Sequence, residues 1–346
     1  SSFFQDRVQT IVGLFDTRND RSASVYDING KFLWSSNAPA GSPAGTPNGL
    51  RRPEPVTNTA PSFTVIWLPL DWVRLYANSM SAIDVGPAYS AYDGNGQPLN
   101  GAVVKNGEAG IRLDLLKSKL LVNLVGFQMS DGGRPVQFAA ATQNLLVNPA
   151  GSNNSSGFNA FVKTTTESTG FDLKVDYIPM RNLRFNVGVS KNDVRITEIE
   201  PFVTPANPDP LRLAAQERFI AAGGSSSHYL GRPSTDIAKY TGTAFVRYEF
   251  TQGFLKNTWA MFASKYLGTR EAELITVNTT TGDITIDRRV VPSRFVYDFN
   301  AGYRRKFGRY NTTFQLNVAN VADDDKFYGA IWQTGRTYRI SAGVNF

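Results

Sequence analysis

Apolar and polar residues alternate with a period of two along most of the chain. In GFDLKVDYIP, Phe171, Leu173, Val175 and Tyr177 fall on one side and Asp172, Lys174 and Asp176 on the other. LRFNVGVSKN sets Leu183, Phe185, Val187 and Val189 against Arg184, Asn186, Gly188 and Ser190, and FVYDFNAGYR, NTTFQLNVAN and GEAGIRLDLL repeat the pattern. Successive side chains of an extended strand point to opposite faces, so this alternation marks strands with one apolar and one polar face. Such segments predict twelve strands, near residues 7–17, 61–69, 71–81, 106–116, 118–130, 167–179, 182–198, 238–251, 254–270, 293–307, 309–320 and 335–346. The last of them, GRTYRISAGVNF, alternates up to an aromatic ring at Phe346.

The connectors between these strands are of two kinds, and the kinds alternate without exception. Five are very short, around residues 69–71, 116–118, 179–182, 251–253 and 307–308; six are long, at 18–60, 82–105, 131–166, 199–237, 271–292 and 321–334. An antiparallel meander built this way has all its tight turns at one end and all its long loops at the other. Within the fourth long connector, PLRLAAQERFIAAGG (residues 210–224) has near-helical spacing and a Gly-Gly stop, which predicts a short amphipathic helix.

Period two alone is equally compatible with a soluble β-sandwich. Three features favour a transmembrane antiparallel β-barrel. Charges stand in the middle of the polar faces (Arg112, Asp114, Asp172, Lys174, Arg304, Arg339), which suits a water-filled lumen. Aromatics such as Trp67, Trp72, Tyr177, Phe185, Tyr248, Phe250, Tyr303, Phe307, Tyr310 and Phe346 lie within a few residues of a short turn or of the terminus, as a membrane–water interface selects. The strands run about 10–15 residues, enough to cross a bilayer at a tilt of about 45°. The expected fold is therefore all-β, a transmembrane antiparallel β-barrel over residues 1–346 with no second domain.

Composition narrows the function. The chain has 346 residues, no cysteine and one histidine, His228, which leaves little room for thiol, disulfide or His-based chemistry. Its 36 Lys and Arg exceed 29 Asp and Glu without gathering into one basic run, so nucleic acid is not an expected partner. No run of 18 apolar residues offers a transmembrane helix. The opening SSFFQDR has no signal-peptide regions and no initiator Met, and reads as a mature chain or a piece of something longer.

No enzyme is expected, and no cofactor or metal. His228 beside Ser225 to Ser227 reads as a loop accident, and Asp172 with Asp176 reads as lumen electrostatics. The DDD at 323–325 fits a solvated turn better than a Ca²⁺ site. Ligand contacts are expected from the long connectors: Trp34, Arg134, Tyr229, Arg232, Tyr328 and Trp332 suit an anionic or aromatic ligand, and would also suit glycans by stacking.

The C-terminal stretch NVANVADDDKFYGAIWQTGRTYRISAGVNF resembles the end of TonB-dependent outer-membrane transporters, with Asn317, Asn320, Asp323, Lys326, Tyr328, Gly335, Arg336 and Phe346 in the family's positions. LPLDWVRLYANSMSA, NGEAGIRLDLLKSKLLVNLVGF and STGFDLKVDYIPMRNLRFNVGVS look like its strand–turn–strand units. The resemblance implies a 22-stranded barrel of which these would be the last twelve strands. The N-terminal plug and barrel half would then be missing from this chain. It implies active uptake driven by the TonB energising complex through that half, with a ferric siderophore as the default substrate. Uptake of a glycan or another nutrient by the same family, or a complete 12-stranded passive or structural barrel, are the alternatives. The implied location is the bacterial outer membrane, lipid around the apolar face, long loops extracellular and the C-terminus periplasmic. The last strand also resembles the signal read by the outer-membrane assembly machinery, at Arg339, Val344 and Phe346, with Ser341 where that pattern prefers Gly.

Overall fold

The computed structural model describes residues 2–3, 7–19, 24–26, 32–35, 56–84, 91–93, 102–137, 159–199, 230–234, 237–277, 284–328 and 331–345. Twelve long strands dominate them. The first six are β1 (Val8–Asn19), β2 (Val56–Leu70), β3 (Val73–Asp84), β4 (Ala102–Leu115), β5 (Leu120–Gln137) and β6 (Asn159–Met180). The rest are β7 (Leu183–Ile199), β8 (Tyr240–Phe250), β9 (Thr258–Leu267), β10 (Arg294–Phe307), β11 (Tyr310–Ala319) and β12 (Thr337–Asn345). Each pairs antiparallel with the next in one continuous meander from β1 to β12.

Register puts the alternation to use. Trp67, Leu75, Ile111, Leu124, Leu173 and Val189 lie opposite one another across β2 to β7, and Val246, Phe262, Phe299, Val318 and Tyr338 continue an apolar face across β8 to β12. One residue along, Arg74, Arg112, Asn123, Lys174, Gly188, Thr243 and Lys265 form a row on the other face. Leu173, Val175, Phe299 and Leu316 thus share the apolar face, and Lys174, Asp298 and Gln315 the polar one.

No second layer covers the apolar face among the described residues. Val187, Phe262 and Phe314 remain exposed to the extent of a flat sheet, and the buried apolar residues are few: Ala60, Ala238, Trp259, Ala272 and Val291. A soluble sandwich would have enclosed these side chains in a core. A one-layer sheet with a bare apolar face is stable where hydrocarbon is the solvent on that side. No described helix is long and apolar enough to cross a membrane, which constrains only helical spans.

All five short connectors lie at one end. Two-residue loops join β2 to β3 (Leu70 opposite Val73), β6 to β7 (Met180 opposite Leu183) and β10 to β11 (Phe307 opposite Tyr310). In the last, Gly308 has φ 59°, the left-handed first position that a II′ hairpin reserves for glycine. Residues 116–119 turn with three successive left-handed residues, Leu116, Lys117 and Ser118, so that turn is held by its strands and not by its own preference.

The connectors at the other end contain structure that the periodicity does not announce. Strands β5 and β6 extend to Gln137 and back to Asn159, well into the expected 131–166 loop. Part of that extension, KTTT at 163–166, is polar on both faces, because strands that rise beyond an apolar slab meet water on both sides and lose their alternation. The expected 271–292 loop is largely a hairpin, Arg270–Val277 with Ile284–Val291. Two small pairs occur as well, Ser24–Tyr26 with Phe32–Ser35 and Phe327–Tyr328 with Ile331–Trp332. The helix expected over 210–224 lies outside the described residues.

Candidate functional site

The polar face is the surface with chemistry. Across β2 to β6 it holds a recess of ≈ 410 Å³ bounded by Arg74, Arg112, Asn123, Lys174 and Asp176. Cations predominate there, and Asp176 accepts from Arg184 Nη2 at 2.8 Å. Asp176 is therefore engaged in an ion pair on the wall and is not free to form an acid–base dyad with Asp172. A second recess of ≈ 500 Å³ lies between β11 and β12, lined by Gln315, Asn317, Thr337, Arg339 and Ser341.

Between the two recesses the wall is stiffened by an aromatic. Trp259 is buried although it sits on the polar face. Its indole Nε1 donates to Asn300 Oδ1 at 2.8 Å, and Asn300 Nδ2 donates to Leu316 O at 3.3 Å and to Asn317 Oδ1. The ring lies against Gly302, where a Cβ would come within 2.1 Å of Trp259 Cζ2. Arg304 and Arg247 stand over the indole at 4.8 Å and 5.4 Å from a ring centroid, and Arg247 also donates to Glu249 Oε1 at 2.6 Å. Two guanidiniums are thereby fixed at the polar surface by cation–π contact.

At the long-connector end, Asp193 ties two strands' worth of cations, with Lys239 Nζ at 2.6 Å and Arg195 Nε at 3.1 Å. Arg270, at the base of the 270–291 hairpin, is buried, and Arg288 on its returning strand lies 3.7 Å from Glu271. Arg288 belongs to a segment that reads as a plain loop in the sequence, and the hairpin brings it beside Glu271.

The residues expected to contact ligand are distributed over several connectors. Trp34 lies in the small strand Phe32–Ser35, and Arg134 lies in β5 opposite Thr164. Arg232 is exposed, and its carbonyl accepts from Ile196 N at 3.2 Å. Tyr328 pairs with Ile331 and Trp332 with Phe327, so these two share one small hairpin. Tyr229 lies outside the described residues. The described residues do not join the six into one pocket, although all of the described five stand at the long-connector end.

The C-terminal motif is a clasp. Asn320 is buried with φ 53°, and its side chain donates to Asp324 O at 3.1 Å and Thr334 O at 2.9 Å while accepting from Asp324 N at 3.2 Å. Asp298 accepts from Asn320 N at 3.0 Å, and Asp323 accepts from Arg336 N at 2.7 Å. Arg336 Nε in turn donates to Val321 O at 3.1 Å. Two carboxylates of the DDD run are thus committed to the turn, Asp323 to Arg336 N and Asp324 to Lys326 at 3.2 Å. Among the described residues no group of three or more His, Cys, Asp or Glu is arranged to hold a metal ion. Arg339 projects from the polar face opposite Asn317, and Val344 from the apolar face opposite Thr312. Phe346 and His228 lie outside the described residues.

Several solved structures share this architecture. The chain is similar to the ferric preacinetobactin receptor BauA from Acinetobacter baumannii (TM-score 0.60, 16% identity, 100% of this chain and 41% of that one). It is similar to the pyoverdine outer membrane receptor FpvA from Pseudomonas aeruginosa PAO1 (TM-score 0.57, 15% identity, 85% and 37%). It also resembles the FrpB iron transporter from Neisseria meningitidis (TM-score 0.57, 17% identity, 97% and 43%). At these identities the likeness is one of fold, and the chain spans less than half the length of each. No curated protein sequence matches the chain. The family described as "TonB dependent receptor-like, beta-barrel" matches residues 15–321, and with a sheet apolar on one face and polar on the other, the chain belongs to that family, whose members are transporters rather than enzymes.

Proposed function

We propose that this chain is the C-terminal barrel portion of an outer-membrane active transporter for a bulky anionic nutrient, a ferric siderophore being the preferred substrate. The observation that carries the reading is the recess on the polar face, where Arg74, Arg112 and Lys174 stand against the single carboxylate of Asp176, within a family of TonB-dependent receptors. Such a wall attracts an anionic ligand through a water-filled lumen. The aromatic and cationic residues of the long connectors (Trp34, Arg134, Tyr229, Arg232, Tyr328, Trp332) would make the first contacts outside the cell. In this orientation the short turns and the C-terminus face the periplasm. The plug, the remaining strands and the segment that engages the energising complex would come from outside residues 1–346.

Transport assays on the intact protein test this. Uptake of radiolabelled ferric siderophore by iron-starved cells should disappear when the gene is deleted and when the energising complex is deleted. Uptake that persists without that complex refutes active transport. Steady ion conductance of the intact protein in a planar bilayer would assign it instead to a passive pore. Growth on oligosaccharide that depends on the gene, without any effect on iron uptake, would move the substrate to glycans.

A further inference from the structure

The short-turn end carries a charge pattern that nutrient transport does not call for. Four of its five turns, with their flanks, read LKSK (116–119), MRN (180–182), TQGFLKN (251–257) and RRKFGRY (304–310). Together they contain eight cations and no carboxylate. All eight are exposed, and among the described residues none of them makes an ion pair. Each of these turns also presents one large exposed apolar side chain: Leu116, Met180, Phe254 and Phe307. Phe254, at the tip of the longest turn, is 96% exposed. Arg305 stands 5.2 Å from the Phe307 ring and Arg309 5.1 Å from that of Tyr310. The fifth turn differs: it pairs its acid, Asp71, with Arg7 at 3.4 Å, and exposes Leu70 and Trp72.

At the opposite end the described charges are mixed in sign and several are paired, as with Asp193, Lys239 and Arg195, or Glu271 and Arg288. Positive charge without an acid in the turn itself thus recurs in four of the five short turns. A protein partner would need a contiguous patch on one side. A feature repeated on four of the five turns along a sheet, each time with an apolar side chain beside a cation, suits a planar surface that is apolar at one depth and anionic at the next.

We infer that the short-turn rim is a binding surface for anionic phospholipid, with Lys117, Arg181, Lys256 and Arg309 taking headgroup phosphates while Leu116, Met180, Phe254 and Phe307 enter the acyl boundary. This rests on the outer-membrane barrel reading, and it concerns the leaflet that the short turns face. Electrostatic attraction of this kind is collective and weakens with salt.

The test uses the intact protein reconstituted in phosphatidylcholine bilayers that contain spin-labelled phosphatidylglycerol or spin-labelled phosphatidylcholine. Insertion is checked first by heat-modifiable migration. The motionally restricted lipid fraction should favour phosphatidylglycerol by about threefold at low salt, and the preference should fall towards unity at about 1 M salt, where the screening length is roughly 3 Å. The quadruple variant K117Q/R181Q/K256Q/R309Q should insert normally and lose the preference, while K105Q/K191Q, on the long-connector side, should keep it. Equal association of both lipids with inserted wild type overturns the proposal, as does a preference that survives the quadruple substitution. A rim that shows no lipid preference but crosslinks from Lys256 to an acidic periplasmic protein would assign it to a protein partner and likewise overturn it. Failure of the wild type to insert into any bilayer would sink the barrel reading, and the lipid site with it.

Discussion

Two side chains, Trp259 and Asn320, hold the polar surface in place, and each makes a sharp prediction. Gly302 is a seat for the indole of Trp259, so Gly302→Ala must push the ring away from Asn300. Overpacking of this kind costs about 1–3 kcal/mol. The temperature at which the intact protein loses heat-modifiable migration should fall. In the double variant with Trp259→Ala the added loss should largely vanish, because neighbouring changes that share one contact do not add. Asn320→Ala removes three hydrogen bonds at once and places a Cβ residue with no compensating side chain at φ 53°. Orphaned buried polar groups cost about 1–3 kcal/mol. Asn320→Gly, which relieves the backbone, should recover only part of that loss in the same melting assay, and full recovery would show that the side chain holds nothing. Neither residue's partners are visible in the sequence. Asn300 is forty-one positions from Trp259, and only strand register tells which residues meet. The motif around Asn320 stands out as a pattern, but its meaning as a clasp needs Asp298, Thr334 and Arg336 in place.

At the scale of elements, the strands were legible because a bilayer imposes a strict rule: within the apolar slab one face meets hydrocarbon and the other meets water. All twelve expected strands are present, with β1 to β12 each overlapping its predicted range. The rule lapses above the slab, which is why the upper parts of β5 and β6 and the 270–291 hairpin read as loops. The same rule makes the two faces unequal to substitution. Leu173, roughly mid-strand, faces the apolar side and Lys174 the polar side. Leu173→Arg should destabilise the inserted protein by about 2–4 kcal/mol, the cost of a cation on the lipid face near the midplane. Lys174→Gln should leave stability nearly unchanged. Chemical-denaturant unfolding in lipid vesicles separates the two, and equal sensitivity would contradict the assignment of faces. The last strand carries a further expectation through Phe346: its deletion should lower the amount of folded protein in the outer membrane, measured as heat-modifiable band against total protein. Undiminished folding after deletion would remove Phe346 from the assembly signal.

At the scale of the molecule, β1 and β12 differ from the inner strands of the sheet. Beyond β1 only Ser2–Phe3 continues the sheet, paired with Val8 and Gln9, so that the rest of β1 has no partner on that side among the described residues. On β1, Val12 and Leu14 are 77% and 72% exposed, and on β12 Ile340 is 82% exposed, whereas Val189 and Phe262, on inner strands, are 38% and 44% exposed. Residues of both faces of β1 share this exposure, including Ile11 and Phe15. A strand flanked on both sides has its side chains shielded by neighbours, so these values mark strands that lack one neighbour. In hydrocarbon each unpaired backbone group costs several kcal/mol, so both edges call for further strands in the intact protein. Residues beyond this chain should supply them, in keeping with its span of less than half of each solved relative. Cysteine pairs decide the matter, since native cysteine is absent. In the intact protein, Phe314→Cys with Ala342→Cys, which face each other across β11 and β12, should crosslink on mild oxidation. Thr10→Cys or Val12→Cys combined with Ala342→Cys or Val344→Cys should not crosslink, because other strands separate β1 from β12. These positions share the apolar face, and antiparallel closure would bring their Cβ atoms within about 5.5 Å of one another. A β1–β12 crosslink as efficient as the control would mean that twelve strands close the ring by themselves, and the supplementary strands would have no edge left to join.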